Sequence, residues 1–387
     1  MKRILLYLLA LAPMAVSAQI ASGFYRVQNN NTSRFISIVD TYVKIEVSGS
    51  AAGNVIADLD ALYMIKDFEE KIAFNPATIC YLESKGDGAY NLTGQGLDLY
   101  AKATRYLYLQ DGTVAGTYQF YAEGSGAGLT VKRFLIDNTI MGDAPSIGTS
   151  SQTPSANWKL LSVDPSNSEQ YFGVKPDVTA SIDGSYWATM YAGFPFKPFA
   201  TDTKVYTVTK VDNAFGVAVI KEVTEVPAQT PVLFRCGSST PSGNKLTLLP
   251  SVTADLGANC LNGNYYCNDV AASTGHRNVT NYDSSTMRML GTTADGKPAF
   301  VKGDDTNLVK STIDGKLYLP ANKAYLVVED APDVLKIMTE EEYITGIEQI
   351  TTNEKEGEKV IYDLQGRRVQ APTKGVYIVN GKKVVIK

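Results

Sequence analysis

His276 is the single histidine of the chain, and it stands in "ASTGHRNVTN" with no nucleophile motif beside it. Any Ser-His-Asp or Cys-His relay would have to run through this residue. Its polar setting reads as a surface loop rather than a general base. Cys80, Cys236, Cys260 and Cys267 are the remaining soft ligands, and with one histidine their spacing fits no zinc pattern. Cys260 and Cys267 close the stretch "CLNGNYYC", where Asn262-Gly263 has turn chemistry. A local disulfide between them is therefore expected, the alternative being four buried thiols. The acidic runs "DFEE" and "TEEEY" sit in helical or linker contexts and read as solvated faces. Sequence alone cannot oppose two carboxylates across a glycosidic bond. "GSGAG" at 124–128 joins two strand-like runs with no following helix or Lys-Ser/Thr, so it is a hairpin and not a phosphate loop. "GDDTN" at 303–307 gathers hard oxygens that could hold calcium, with a tight turn as the simpler reading. No catalytic residue, metal or cofactor is expected.

The chain has 387 residues, 44% of them hydrophobic, enough for two or three domains with real cores. Its 23 Tyr and 32 Gly lean towards β structure. Residues 1–18, "MKRILLYLLALAPMAVSA", have the positive start, apolar run and small-residue end of a signal peptide, with cleavage expected before Gln19. No later stretch reaches the length of a membrane helix. Export is expected, to the medium, the outer surface or the periplasm. The formal charge is -4. Without Lys2 and Arg3 it is -6, and residues 360–387 carry +5, from six basic residues against Asp363, which leaves -11 on the body between. An acidic body argues against nucleic acid as a partner, and the contrast marks the tail as a separate unit.

Three times a basic residue precedes an aromatic and an aliphatic: Arg34-Phe35-Ile36, Arg105-Tyr106-Leu107 and Arg133-Phe134-Leu135. Each sits in a short alternating run bounded by turn residues, the pattern of short strands. Between the first two, Leu59, Leu62, Ile65, Phe68 and Ile72 mark one helical stripe, so a helical insertion is expected over 54–76, started by Asn54 and stopped at Pro76. From 169 to 340 more strand-like runs follow. "VPAQTPVLF" at 226–234 is echoed by "LPANKAYLVV" at 319–328, which reads as two related hairpins in one β-sandwich. "SYWATMYAGFPFKPF" gathers Tyr186, Trp187, Tyr191, Phe194, Phe196 and Phe199, chiefly as core and interface. Residues 341–359 read as a polar linker. In the tail, 360–387, three short strands are expected, the last two joined at Asn380-Gly381.

Two resemblances follow from these residues. "YDLQGRRV", "KGVYIVNGKK" and the basic last strand resemble the C-terminal sorting signals of type IX secretion, as on secreted proteins of Bacteroidetes-type bacteria. That likeness implies the secretion machinery as a partner of the tail. "GFYRVQN" at 23–29, "SRFI" at 33–36 and "NWKL" at 157–160 resemble the ricin-B type of β-trefoil, with Ala156 where a Gln-x-Trp element would have its Gln. The implied organisation is a trefoil-like domain over 19–168. Lectins of this kind stack an aromatic ring on a sugar and orient it with Asp or Asn. The resemblance thus points to Asp40, Asp111, Asp137 and Asn138, each shortly after its Arg-aromatic element. The expectation is a mainly β, non-catalytic protein that binds a glycan or host ligand. A structural or adhesive surface protein, or a polysaccharide hydrolase, are the alternatives.

Overall fold

The computed structural model describes residues 19–40, 69–99, 106–126, 129–137, 146–271, 277–345, 361–363, 367–369, 373–379 and 382–386. The fold is mainly β. Its first module holds nine strands: β1 (Gly23–Asn29), β2 (Cys80–Gly86), β3 (Ala89–Gly94), β4 (Leu97–Leu99), β5 (Leu107–Asp111), β6 (Tyr118–Gly126), β7 (Leu129–Ile136), β8 (Ser146–Gly148) and β9 (Trp158–Ser162). Six of them close a ring. β1 pairs with β2 and β9, β2 with β3, β3 with β5, β5 with β6, and β6 returns to β9. The other three extend it as arms, β4 on β3, β7 on β6 and β8 on β7.

The repeated triplets explain how the ring is filled. Ile36, Leu107 and Leu135, the third residue of each triplet, all enter one buried cluster with Val27, Leu82, Leu92, Phe120 and Trp158. Alternation sends every second side chain of a strand inward. Trp158 is wholly buried, and its Nε1–H donates to the Leu135 carbonyl at 3.0 Å. That bond satisfies the polar handle that makes a fully buried Trp costly.

The expected helix over 54–76 meets a different local structure where it is described. Residues 54–68 lie outside the described residues. Glu69–Ile72 is a single helical turn, and Asn75 then starts a 3₁₀ turn at Pro76–Thr78, its side chain accepting from the Ala77 N–H at 3.0 Å. Pro76 begins a turn rather than ending a helix, because a first-turn position has no N–H to lose.

Beyond residue 169, ten strands follow one hydrogen-bonded path, and a separate three-stranded sheet is formed by Phe172–Gly173, Lys245–Leu248 and Phe196–Pro198. Within the path the same arrangement occurs twice. Tyr186–Met190, Lys204–Asp212, Val217–Val223 and Val232–Cys236 lie in the spatial order first, fourth, second, third. Leu261–Asn264, Met287–Thr292, Pro298–Val301 and Lys323–Val327 repeat that order. Val334–Thr339 joins the copies, parallel to Val217–Val223 and antiparallel to Pro298–Val301. A single core takes Trp187, Val208, Ile220 and Leu233 from one copy and Leu261, Leu290, Phe300 and Leu326 from the other. The Pro-Ala echo sits just before or at the fourth strand of each copy. Val226 and Leu319 are wholly buried, and the amides that follow Pro-Ala, Gln229 and Asn322, both take left-handed backbone with φ of 60° and 58°.

The expected staple between Cys260 and Cys267 is absent, and all four cysteines are free. Asn262-Gly263 does not turn. It lies inside a straight strand, Asn262 opposite Tyr325 and Gly263 opposite Ala324, so the chain is carried away from Cys260 instead of doubling back. Gly263 has another reason to be glycine: a Cβ there would stand 2.2 Å from Cγ of Tyr191. The stretch "GDDTN" is a turn in which Asp304 accepts from the Thr306 N–H at 2.8 Å. Among the described residues no cluster of three or more His, Cys, Asp or Glu could hold a metal ion, and no helix is long and apolar enough to cross a membrane.

The linker over 341–359 opens with structure. The Thr339 N–H donates to Glu342 Oε2 at 2.8 Å and the Glu342 N–H donates to Thr339 Oγ1 at 3.2 Å, a reciprocal cap on the helical residues 340–345. The tail forms a four-stranded sheet, not three strands, in the order Arg368–Val369, Ile361–Tyr362, Gly375–Val379, Lys382–Ile386. Val379 pairs with Lys382, as a two-residue connection requires.

Candidate functional site

The two modules meet along a polar seam. Gln95, at the β3–β4 turn with φ of 50°, exchanges two 3.0 Å hydrogen bonds with the side chain of Asn322. Asn322 also donates to the Tyr191 carbonyl at 3.0 Å, and its own carbonyl accepts from the Tyr191 N–H at 3.0 Å. The Tyr191 ring stacks on Tyr265 at 4.1 Å, and the Tyr266 hydroxyl donates to the Gln95 carbonyl at 3.1 Å. Burial drives the Tyr265 hydroxyl well above the usual phenol range and the Tyr266 hydroxyl to about 12, so both act as neutral donors.

On one side of this seam lies a groove of mixed polar and apolar lining, about 480 Å³. One lip is Lys71, Phe74, Asn75 and Pro76 of the first module; the other is Ala321 and Lys323, with Lys175, Asp177, Thr189 and Met190 between. Each wall is fixed by backbone. The Gly173 N–H donates to the Ala73 carbonyl at 2.9 Å, tying the first-module lip to the second module. Gly173 is obligatory, since a Cβ there would stand 2.1 Å from the Pro241 carbonyl oxygen. Asp177 accepts from the Thr189 N–H at 2.8 Å and pairs with Lys323 Nζ, each side chain about a quarter exposed. Lys175 Nζ stands 4.9 Å from the Phe74 ring centroid. A second cavity of about 350 Å³, lined by Thr292, Thr306, Asn307 and Pro320, shares Asp177, Thr189 and Lys323 with the groove.

Behind the first-module lip sits Arg26, wholly buried. Its Nη2 donates to the Ile72 carbonyl at 2.9 Å and the Tyr171 carbonyl at 2.8 Å, its Nε to Thr78 Oγ1 at 3.4 Å, while Nη1 has no partner. Desolvation pulls this guanidinium down to about 10, still well above neutrality, so the charge persists at pH 7. A third cavity of about 420 Å³, on Phe24, Tyr81, Phe194, Pro195, Pro227 and Pro250, is lined by aromatic and proline side chains without a charge.

The sequence-derived candidates do not converge here. Asp40 is wholly buried and accepts from Asn268 Nδ2 at 3.1 Å and Asn278 Nδ2 at 2.8 Å. It fastens the first module to the irregular segment after Cys267. Asp137 is also buried, gripped by Arg34, whose Nε donates at 3.0 Å, and by the Thr32 hydroxyl. Neither carboxylate is presented to solvent, so neither is placed to take a sugar: each is engaged by side chains more than a hundred residues away in the sequence. Asp111 is exposed at the end of β5. Asn138 and His276 lie outside the described residues. Of the aromatic run, Trp187, Phe194 and Phe196 are buried and Phe199 is 54% exposed. Sequence reasoning missed the groove because Lys71, Lys175 and Lys323 belong to distant segments, with no spacing to link them.

No family model matches the chain, and no curated protein matches it. Among solved structures, a mosquitocidal holotoxin is similar at 11% identity over 80% of this chain, with a TM-score of 0.26. The chain spans about a third of that toxin's length, 34% of it.

Proposed function

We propose that this chain is an exported, non-catalytic binding protein that takes a glycan or host ligand in the groove between its two modules. The six-strand ring with three arms supports reading the first module as a β-trefoil, and the shared core of the two strand copies supports a sandwich-like second module. The tail sheet, separate from both, suits recognition by a secretion machinery. The observation that carries the binding reading is the groove itself. It joins an aromatic side chain at Phe74, a charged pair at Asp177–Lys323 and the hydroxyls of Thr189 and Thr292 on strands and Thr306 in a turn, the combination a sugar or similar polar ligand needs.

The test is a glycan array probed with the full-length chain, then with Ala321→Trp, which fills the groove from an exposed position, and with Asp111→Ala. Binding that survives Asp111→Ala and is lost in Ala321→Trp is expected. Loss in Asp111→Ala with retention in Ala321→Trp would move the site back to the first module.

A further inference from the structure

The groove carries charge of one sign in a chain of the other. Among the described residues its lining holds three cations, Lys71, Lys175 and Lys323, against one carboxylate, Asp177, and that carboxylate is paired with Lys323. The whole chain has a formal charge of -4. Lys71 and Lys175 have no carboxylate partner among the described residues, and Lys175 is held by the Phe74 ring alone. Arg26 adds a fourth cation behind the lip, also without a carboxylate. A protein that only needed solvated lysines would gain nothing by grouping them against its net charge in a concavity. A cleft of one sign with low-dielectric walls focuses its field on a ligand of the opposite sign.

Resting on the binding reading above, we infer that the groove selects an acidic saccharide, one bearing carboxylate or sulfate groups, over a neutral one. The anionic groups would lie against Lys71 and Lys175 and exchange with Asp177 for Lys323. The sugar hydroxyls would run on towards Thr292 and Thr306 in the adjoining cavity. The hydroxyl-lined extension favours a polyhydroxylated anion over a compact one such as free phosphate, which would leave those groups unused.

The experiment measures full-length chain against three probes by calorimetry: a hexagalacturonate, the neutral hexagalactose of the same linkage, and inorganic polyphosphate. It is run at low and high salt and repeated with Lys71→Ala/Lys175→Ala. Both lysines are exposed, so melting of the variant checks that it folds. Expected is hexagalacturonate binding at least tenfold tighter than hexagalactose. It should weaken tenfold or more in the double variant, about 1.4 kcal/mol, and fall with salt. Equal affinity for the two hexasaccharides, still abolished by Ala321→Trp, overturns the acid preference and leaves the groove as a site. Tighter binding of polyphosphate than of hexagalacturonate overturns the saccharide assignment. Binding of no probe overturns the inference, and an array that is silent as well removes the groove reading beneath it.

Discussion

Adding one methyl group at Gly263 should loosen the seam between the modules. A Cβ there would lie 2.2 Å from Cγ of Tyr191, more than an ångström inside ordinary contact. The neighbour is the body of an aromatic ring, not the free end of a flexible chain. Nor can Tyr191 withdraw with its backbone, because its N–H and C=O are both bonded to Asn322. The ring must swing off Tyr265 and give up a 4.1 Å stack. Overpacking of this kind costs about 1–3 kcal/mol, and the lost aromatic pair about 0.5–1.5 kcal/mol more. Gly263→Ala should therefore destabilise by roughly 2–4 kcal/mol, a fall in melting temperature of roughly 6–12 °C for a module of this size. In a Tyr191→Ala background the same methyl meets open space, and a strand-interior Gly→Ala change then stabilises slightly, by about 0.5 kcal/mol. The assay is a double-mutant cycle of chemical denaturation, expected to give a coupling of about 2 kcal/mol or more. Equal cost of Gly263→Ala in both backgrounds would refute the ring-over-glycine account.

Asp40→Ala should cost about 1–3 kcal/mol, since the buried Asn268 amide and the half-buried Asn278 amide lose this acceptor; hydrogen exchange should quicken first in residues 265–271 and 277–282, and uniform quickening would contradict the tether. Asn322→Gly relieves a left-handed backbone yet strands Gln95, so a net loss of about 1–2 kcal/mol is expected on thermal melting. Asp314 is held below the usual carboxylate range by the Tyr318 hydroxyl first, with Arg277 adding to it. Its stabilisation is complete above the ordinary aspartate range and drains away as pH falls below that range; an acid melting series should show this limb shallower in Asp314→Asn, and an unchanged limb would exclude it. All four cysteines should alkylate in denaturant without reductant, and slowly in the native state, where burial pushes Cys80 and Cys236 to about 12 and Cys267 to about 11; recovery of two thiols only would restore the 260–267 bridge.

The strands were legible because alternation is a local signal. The triplets read as short strands meet strands at Leu107–Asp111 and Leu129–Ile136, whereas 34–36 pairs only through the isolated Gln28–Phe35 bridge, and the third residues Ile36, Leu107 and Leu135 share one core. The Pro-Ala echo likewise marked a real structural repeat, since a left-handed amide after Pro-Ala recurs at Gln229 and Asn322. What failed did so for a shared reason: the deciding neighbour was remote in sequence. Asn262-Gly263 has turn chemistry, yet Tyr191 and the strand at 323–327 impose extension. Asp40 was read from its own loop, while its partners sit more than two hundred residues later. Tertiary packing outranks local propensity at such positions.

The seam makes that point energetically. Gln95, Gln229 and Asn322 all hold backbone that glycine adopts freely and other residues adopt at a cost. Were these only turns, glycine would serve better at each. At Gln95 and Asn322 the side chain supplies what glycine cannot, a paired amide bridge buried between modules. Gln229 shows the third case: its amide packs over Gly96 of the β3–β4 turn, and its N–H donates to Ala192 at 2.9 Å. Local strain is thus exchanged for contact across the seam, a trade that has value only if the two modules keep one fixed relation. The groove is walled by both modules on the same seam, from Lys71 and Phe74 on one side to Lys323 on the other. Its shape therefore depends on those amides, and variants that break them should alter binding, with Asn322 itself on the groove lining between Ala321 and Lys323 and Gln95 acting through it.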